Sequence, residues 1–85
     1  VGGERIVDET FSFTLVLSGF SELTQDIEDA FFEAGCDDAT LSIQAGIPHL
    51  DFDRQAPSRQ AALLSALREV GSVQGVRVIR VKAST

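Results

Sequence analysis

The sequence predicts an α+β domain in which two β-α-β units share one antiparallel sheet. Four segments alternate apolar and polar residues with a period of two, as half-buried strands do. Two further segments repeat apolar residues at the spacing of a helix. Their order is strand, helix, strand, strand, helix, strand, which is typical of ferredoxin-like domains. We therefore expect a four-stranded sheet in the order 4-1-3-2 with both helices on one face.

The first strand and the first helix are separated by Gly19, where the period changes from two to about 3.6. Thr24 is a suitable N-cap for the helix, and Gly35 lies where a left-handed residue commonly ends one. The buried residues are expected to be Phe11, Phe13, Leu15 and Leu17 in the strand and Ile27, Ala30, Phe31 and Ala34 in the helix.

The second half of the chain repeats the pattern after a hairpin. Ala45-Gly46 is a turn candidate between the second and third strands, and Ser58 can cap the second helix. The last strand is predicted from Val76 to Lys82, after a helix end marked by Gly71 and Gly75. The second helix is expected to bury Leu63, Leu64, Leu67 and Val70.

The size and composition indicate one small globular domain. The chain has 85 residues, of which 44% are hydrophobic and 24% charged, and its core is only just large enough for independent stability. We expect the domain to occupy residues 10–83, after a flexible lead-in at residues 1–9. No apolar run approaches the roughly 20 residues that cross a bilayer. A single cysteine allows no internal disulfide, so a cytoplasmic location without membrane contact is expected.

The charges are distributed unevenly along the chain. Residues 1–53 carry twelve of the thirteen acidic side chains and one of the seven basic ones, whereas residues 54–85 carry one and six. Binding to nucleic acid requires a broad cationic surface, so we expect no direct nucleic-acid binding by this domain. A chain with two oppositely charged halves is instead suited to self-association.

The best candidate for a site is a turn-end cluster formed by Cys36, Asp37, Asp38, Asp53 and Arg54. In the expected topology, the turn after the first helix and the turn after the third strand lie at the same end of the sheet. Three carboxylates there could hold Mg²⁺ or Ca²⁺, but the spacing of neither a calcium loop nor a zinc site is present.

We therefore expect no cofactor or metal, and favour a structural interpretation of these acids. Asp37 and Asp38 would accept hydrogen bonds from a tight turn, and Asp51 or Asp53 would pair with Arg54 or Arg59.

Cys36 is a poor candidate for a nucleophile. Its acidic neighbours at the end of a helix are expected to raise the pKa of the thiol. His49, the only histidine, lies toward the other end of the third strand. We expect Cys36 to be a half-buried packing residue and His49 to be a solvated residue on the open face of the sheet.

The open face of the sheet is predicted to be polar and to lack the aromatic residues that RNA-binding sheets use for base stacking. The last strand is basic and β-branched, and Arg77, Ile79 and Arg80 are candidates for an interface with another copy or another protein. A sheet face that merely contacts solvent is the alternative.

Two blocks, EAGCDDAT at residues 33–40 and LDFDR at residues 50–54, resemble the N-terminal part of an uncharacterised family of small bacterial proteins. The likeness extends over residues 10–82. Members of that family often continue after the last strand into a helix-turn-helix segment. The resemblance therefore implies the N-terminal domain of a DNA-binding regulator, and it implies no catalytic residue.

Two functions remain open from the sequence. The first is a non-catalytic regulatory domain that binds a ligand or a partner, or that forms oligomers. The second is a small hydrolase-like enzyme that uses a divalent cation at Asp37, Asp38 and Asp53. We favour the first, because no nucleophile, base and orienting group are expected to converge.

Overall fold

The computed structural model describes residues 9–83, which contain four strands and two helices. The expected lead-in falls outside these residues apart from Glu9, with which the first strand begins. The elements in chain order are β1 (Glu9–Ser18), α1 (Gln25–Glu33), β2 (Ala39–Gln44), β3 (Ile47–Ala56), α2 (Arg59–Gly71) and β4 (Arg77–Ala83).

The strands form one antiparallel sheet in the order β2-β3-β1-β4, with the two helices packed on one face, so the predicted ferredoxin-like fold is confirmed. β1 and β3 are the central strands, and Phe13 is paired with Phe52 across them. β2 and β4 are the two edges of the sheet. Neither helix in the described part of the chain is long and apolar enough to span a membrane.

Both helices start at the predicted caps. The Thr24 hydroxyl accepts a hydrogen bond from the Ile27 amide at 3.2 Å, and the Ser58 hydroxyl accepts one from the Ala61 amide at 3.1 Å. Each bond satisfies an amide that has no partner in the first turn of a helix. Because both caps lie directly after loops, they fix where the chain leaves the sheet and begins to cross its covered face.

The core lies between the sheet and the helices. The stacked rings of Phe13 and Phe52, with centroids 5.2 Å apart, lie at its centre. The predicted buried face of β1 is confirmed for Phe13, Leu15 and Leu17, while Phe11 is only partly buried. In α1, Phe31 is buried and Ile27 and Ala30 are partly buried, as is Ala34, which caps the end of the helix.

The predicted buried stripe of α2 is partly wrong. Ala62, Ala66 and Val70 are fully buried, while Leu64 is 53% exposed. Leu63 and Leu67 lie at the margin of the core. The small alanines allow the helix to lie close to the sheet, since the aromatic residues of β1 and β3 already fill the space beneath it.

Candidate functional site

Arg54 is the centre of the turn-end cluster. In β3, alternate residues face the helices, so Arg54 shares the covered face of the sheet with Leu50 and Phe52. It is only 8% exposed, and its guanidinium lies 4.8 Å from the centre of the Phe52 ring. A buried arginine is rare unless acceptors surround its donors, which makes its partners the main question at this site.

The partners of Arg54 come from two other parts of the fold. Its Nε and Nη2 donate to the two carboxylate oxygens of Asp38, each at 2.8 Å. Nη2 also donates to Glu69 Oε1 at 2.7 Å and to the Gly35 carbonyl at 3.2 Å, and Nη1 donates to the Ser65 hydroxyl at 2.9 Å. The side chain therefore ties β3 to α2 and to the segment between α1 and β2.

These contacts change the acidity of the groups involved. Hydrogen bonding to Arg54 holds the pKa of Asp38 below its usual value, although partial burial opposes the shift. The hydrogen bonds that Arg54 donates to Asp38 and Glu69 raise the pKa of its guanidinium, against the effect of its own burial. Both groups are therefore firmly ionised near neutral pH, as a structural ion pair requires.

The expected partner of Arg54 was wrong. Asp53 precedes Arg54 in the same strand, so its side chain points to the opposite face, where it accepts a hydrogen bond from Ser12. Asp51 likewise accepts one from Thr14 on that face. Ser65 and Glu69 were not predicted as partners of Arg54, although Glu69 is the only acidic residue after Asp53.

The three candidate metal-binding aspartates do not converge. Both oxygens of Asp38 are bonded to Arg54, and Asp53 lies across the sheet on the face away from the helices. Asp37 lines a separate groove between α1 and β2. Within residues 9–83, no group of three or more histidine, cysteine, aspartate or glutamate side chains is arranged to hold a metal ion.

Cys36 is more deeply buried than expected. It is 4% exposed, and its sulfur lies 4.0 Å from Glu69 Oε1. Burial, followed by the negative charge of Glu69, raises the pKa of the thiol to about 11. The expected direction of the shift is confirmed, although loss of solvent contributes more to it than the acidic neighbours do. The thiol is protonated at neutral pH and is a poor nucleophile in this state.

The groove between α1 and β2 was not anticipated. It has a volume of about 330 Å³, and its lining includes Phe31, Leu41 and Leu50 together with the acidic Glu28 and Asp37. Phe32 is 67% exposed at its side. The adjacent phenylalanines in α1 were the available signal, since two consecutive residues of a helix cannot both face the core.

The face of the sheet away from the helices is here called the open face. The three predicted interface residues, Arg77, Ile79 and Arg80, lie on this face at the edge strand β4. A β-bulge interrupts the pairing of β1 and β4, so that Arg80 lies opposite Val16 and Arg77 opposite Ser18. Ile79 is the additional residue, and it is 59% exposed. The bulge explains how two arginines three positions apart can lie on one face of a strand.

The expectation for His49 was wrong. It is only 9% exposed, and its Nδ1 lies 2.9 Å from the Ile47 carbonyl oxygen. With Val16, Ile47, Ile79, Arg80 and Lys82 it lines a depression of about 220 Å³ on the open face. The neighbouring side chains in this depression cover the histidine ring.

Comparisons of the chain with family models, with curated proteins and with solved structures found no match. A function for the chain must therefore be argued from its own contacts, burial and charges.

Proposed function

We propose that this chain is a non-catalytic regulatory domain of the cytoplasm that acts by binding a second copy of itself. The observation that carries the proposal is the surface of β4. Ile79 is 59% exposed in this edge strand, beside Arg77, Arg80 and Lys82, and Val81, which faces the helix side, is 42% exposed. Exposed aliphatic residues interspersed with cations on a sheet edge are typical of a surface that contacts another protein.

The charges next to this surface support the same interpretation. Within residues 9–83, the ion pairs are those of Arg54 with Asp38 and Glu69. The basic residues of β4 and the carboxylates of Asp51 and Asp53 on β3 are thus available for contacts between molecules. Opposite charges on the same face favour association of like molecules.

The turn-end cluster supports a structural role for the acidic blocks. Arg54 and Asp38, which belong to the two blocks that resemble the bacterial family, are bonded to each other. The pair joins β3 to the turn before β2, and Arg54 also bonds Glu69 of α2; within residues 9–83, no buried side-chain nitrogen or oxygen lacks a hydrogen-bond partner. Self-association also fits a regulator of the helix-turn-helix type, since dimers of such proteins bind paired half-sites in DNA.

The proposal is tested by sedimentation equilibrium of the untagged chain over a wide concentration range. We expect a reversible dimer, and a shift to monomer in the Arg77→Glu, Arg80→Glu double variant. The control variant Leu64→Asp, Arg68→Glu changes one exposed leucine and one exposed arginine on α2, and it should associate like the wild type. A wild-type chain that stays monomeric at its highest soluble concentration would overturn the proposal.

A further inference from the structure

We propose that the second copy packs face to face on the open face, related by a two-fold axis that runs parallel to β1. The inference rests on the proposed self-association and specifies its geometry. It is carried by three properties of this face: the order of its charges across the strands, the position of its exposed aliphatic residues, and the bulge in β4.

The charges on the open face are ordered in rows across the sheet. The pairing of β1 with both neighbours places Lys82, Thr14 and Asp51 in one row, perpendicular to the strands. The next row contains Arg80, Val16 and His49. In both rows the residue of β1 is uncharged and the residue of β4 is cationic. The one acidic residue of the two rows, Asp51, lies on β3. The face is thus positive on one side of β1 and negative on the other.

A two-fold axis above β1 and parallel to it leaves the position of each row along the strands unchanged. It exchanges the two sides of β1, so that each row of one copy lies over the same row of the other. β1 then faces β1 of the second copy, while β4 faces its β3. Lys82 comes to lie over Asp51 of the second copy, and the symmetry repeats this contact. An axis perpendicular to the strands would place β4 over β4 and bring the cations together, so the charges select the first arrangement.

The aliphatic residues of the open face occupy the region near the same axis. Val16 is 7% exposed, and Ile47 and Ile79, on either side of it, are 43% and 59% exposed. All three line the depression that also contains His49. The rotation that pairs Lys82 with Asp51 brings Ile79 of one copy next to Ile47 of the other. The centre of the interface is then apolar and its margin charged, as in protein interfaces generally.

Pairing of the two copies along the edges of β4 is the main alternative, and β4 is poorly suited to it. The bulge interrupts the regular ladder at Ile79, and a strand pairing edge to edge would place three cations beside three cations. In the face-to-face arrangement the bulge has the opposite effect, because it brings both Ile79 and Arg80 to the open face.

The carboxylate of Asp51 is free to accept a cation from another molecule. Among residues 9–83 its side chain accepts one hydrogen bond, from the Thr14 hydroxyl, and it takes part in no ion pair, which leaves its negative charge unneutralised. Sheets packed face to face lie about 10 Å apart, a distance that a lysine and an aspartate side chain can bridge together.

The experiment is a charge exchange between two variants, Lys82→Glu and Asp51→Lys. Each variant alone would place like charges together at both symmetry-related contacts, so its dimer dissociation constant should rise about tenfold or more. In a mixture of the two variants, both contacts again join opposite charges. We therefore expect each variant to be monomeric alone and the mixture to form a one-to-one heterodimer, detected by native mass spectrometry.

The control pair is Arg68→Glu and Glu22→Lys, which makes the same kinds of charge change outside the open face. Each control variant should form homodimers like the wild type, and circular dichroism verifies that all four variants fold. A wild-type dimer whose association is unaffected by the single variants, or a mixture that forms no heterodimer, would overturn this geometry while leaving self-association intact. A monomeric wild type would overturn the proposed function itself.

Discussion

Arg54 and Asp38 form a two-point ion pair in which Nε and Nη2 of the guanidinium each lie 2.8 Å from a different carboxylate oxygen. The pair joins the end of the central strand β3 to the turn before β2, and Glu69 extends it to α2. Removing one partner of a buried pair leaves an uncompensated charge, which costs more than the pair itself contributes.

We therefore expect Arg54→Ala to lower the free energy of unfolding by about 3–5 kcal/mol. Arg54→Lys should also be strongly destabilising, because an ammonium group cannot make the two parallel hydrogen bonds to Asp38. Urea unfolding at neutral pH measures both effects. Arg59→Ala, which removes an exposed arginine near Phe11, is the control, and its effect should stay below about 1 kcal/mol.

The acid stability of the domain should depend on Asp38. Because its folded-state pKa is lowered, the pair contributes its full stability above the unfolded pKa of about 4 and loses it as the pH falls through the folded pKa. Asp38→Asn should therefore be less stable at neutral pH, with an unfolding free energy that falls less steeply below about pH 4. Parallel acid profiles for the variant and the wild type would contradict this account.

Much of the fold follows from the sequence because strand alternation and helix caps are local signals. The same alternation in LDFDR places Arg54 in phase with Leu50 and Phe52, and so excludes Asp53 as its partner. The strand alternation alone does not identify Glu69 as a partner of Arg54, because that contact depends on the rotation of α2 about its axis. The apolar residues of α2 are spread around much of its circumference. The spacing of its apolar residues therefore does not decide whether Ala62 or Leu64 faces the sheet.

The open face was predicted only in part for a similar reason. The alternation identifies its polar residues on the central strands, but a bulge has no reliable signal in a single sequence. The spacing of Arg77 and Arg80 requires one if both are to lie on the same face, and the structure places it at Ile79. The burial of His49 depends in turn on Ile79 and Arg80, which the bulge brings beside it.

The Cys36 thiol should react slowly in the folded protein. A pKa of about 11 leaves little thiolate at pH 8, and the sulfur is buried. We expect alkylation by iodoacetamide to be about 100-fold slower than in the urea-unfolded chain. Cys36→Ser provides the background rate. Equal rates in the folded and unfolded chains would show that the thiol is accessible and ionised, contrary to this prediction.

The close approach of Gly19 to Gly75 should make position 19 intolerant of any side chain. Gly19 has φ +117°, and a Cβ atom there would lie 2.1 Å from the Gly75 carbonyl oxygen. Gly19→Ala therefore combines backbone strain with a clash against backbone, and it should destabilise the domain by at least about 2 kcal/mol. The matched control is Gly71→Ala at the end of α2, where the added methyl group meets nothing within 4 Å.

Alanine is the better helix former, so the control should be neutral or stabilising by up to about 1 kcal/mol. Thermal unfolding of the two variants beside the wild type makes the comparison. If Gly19→Ala were as stable as the wild type, the loop after β1 would have to move away from the loop before β4. That movement would also shift the ends of both strands, on which the register of Val16 with Arg80, and so the proposed interface, depends.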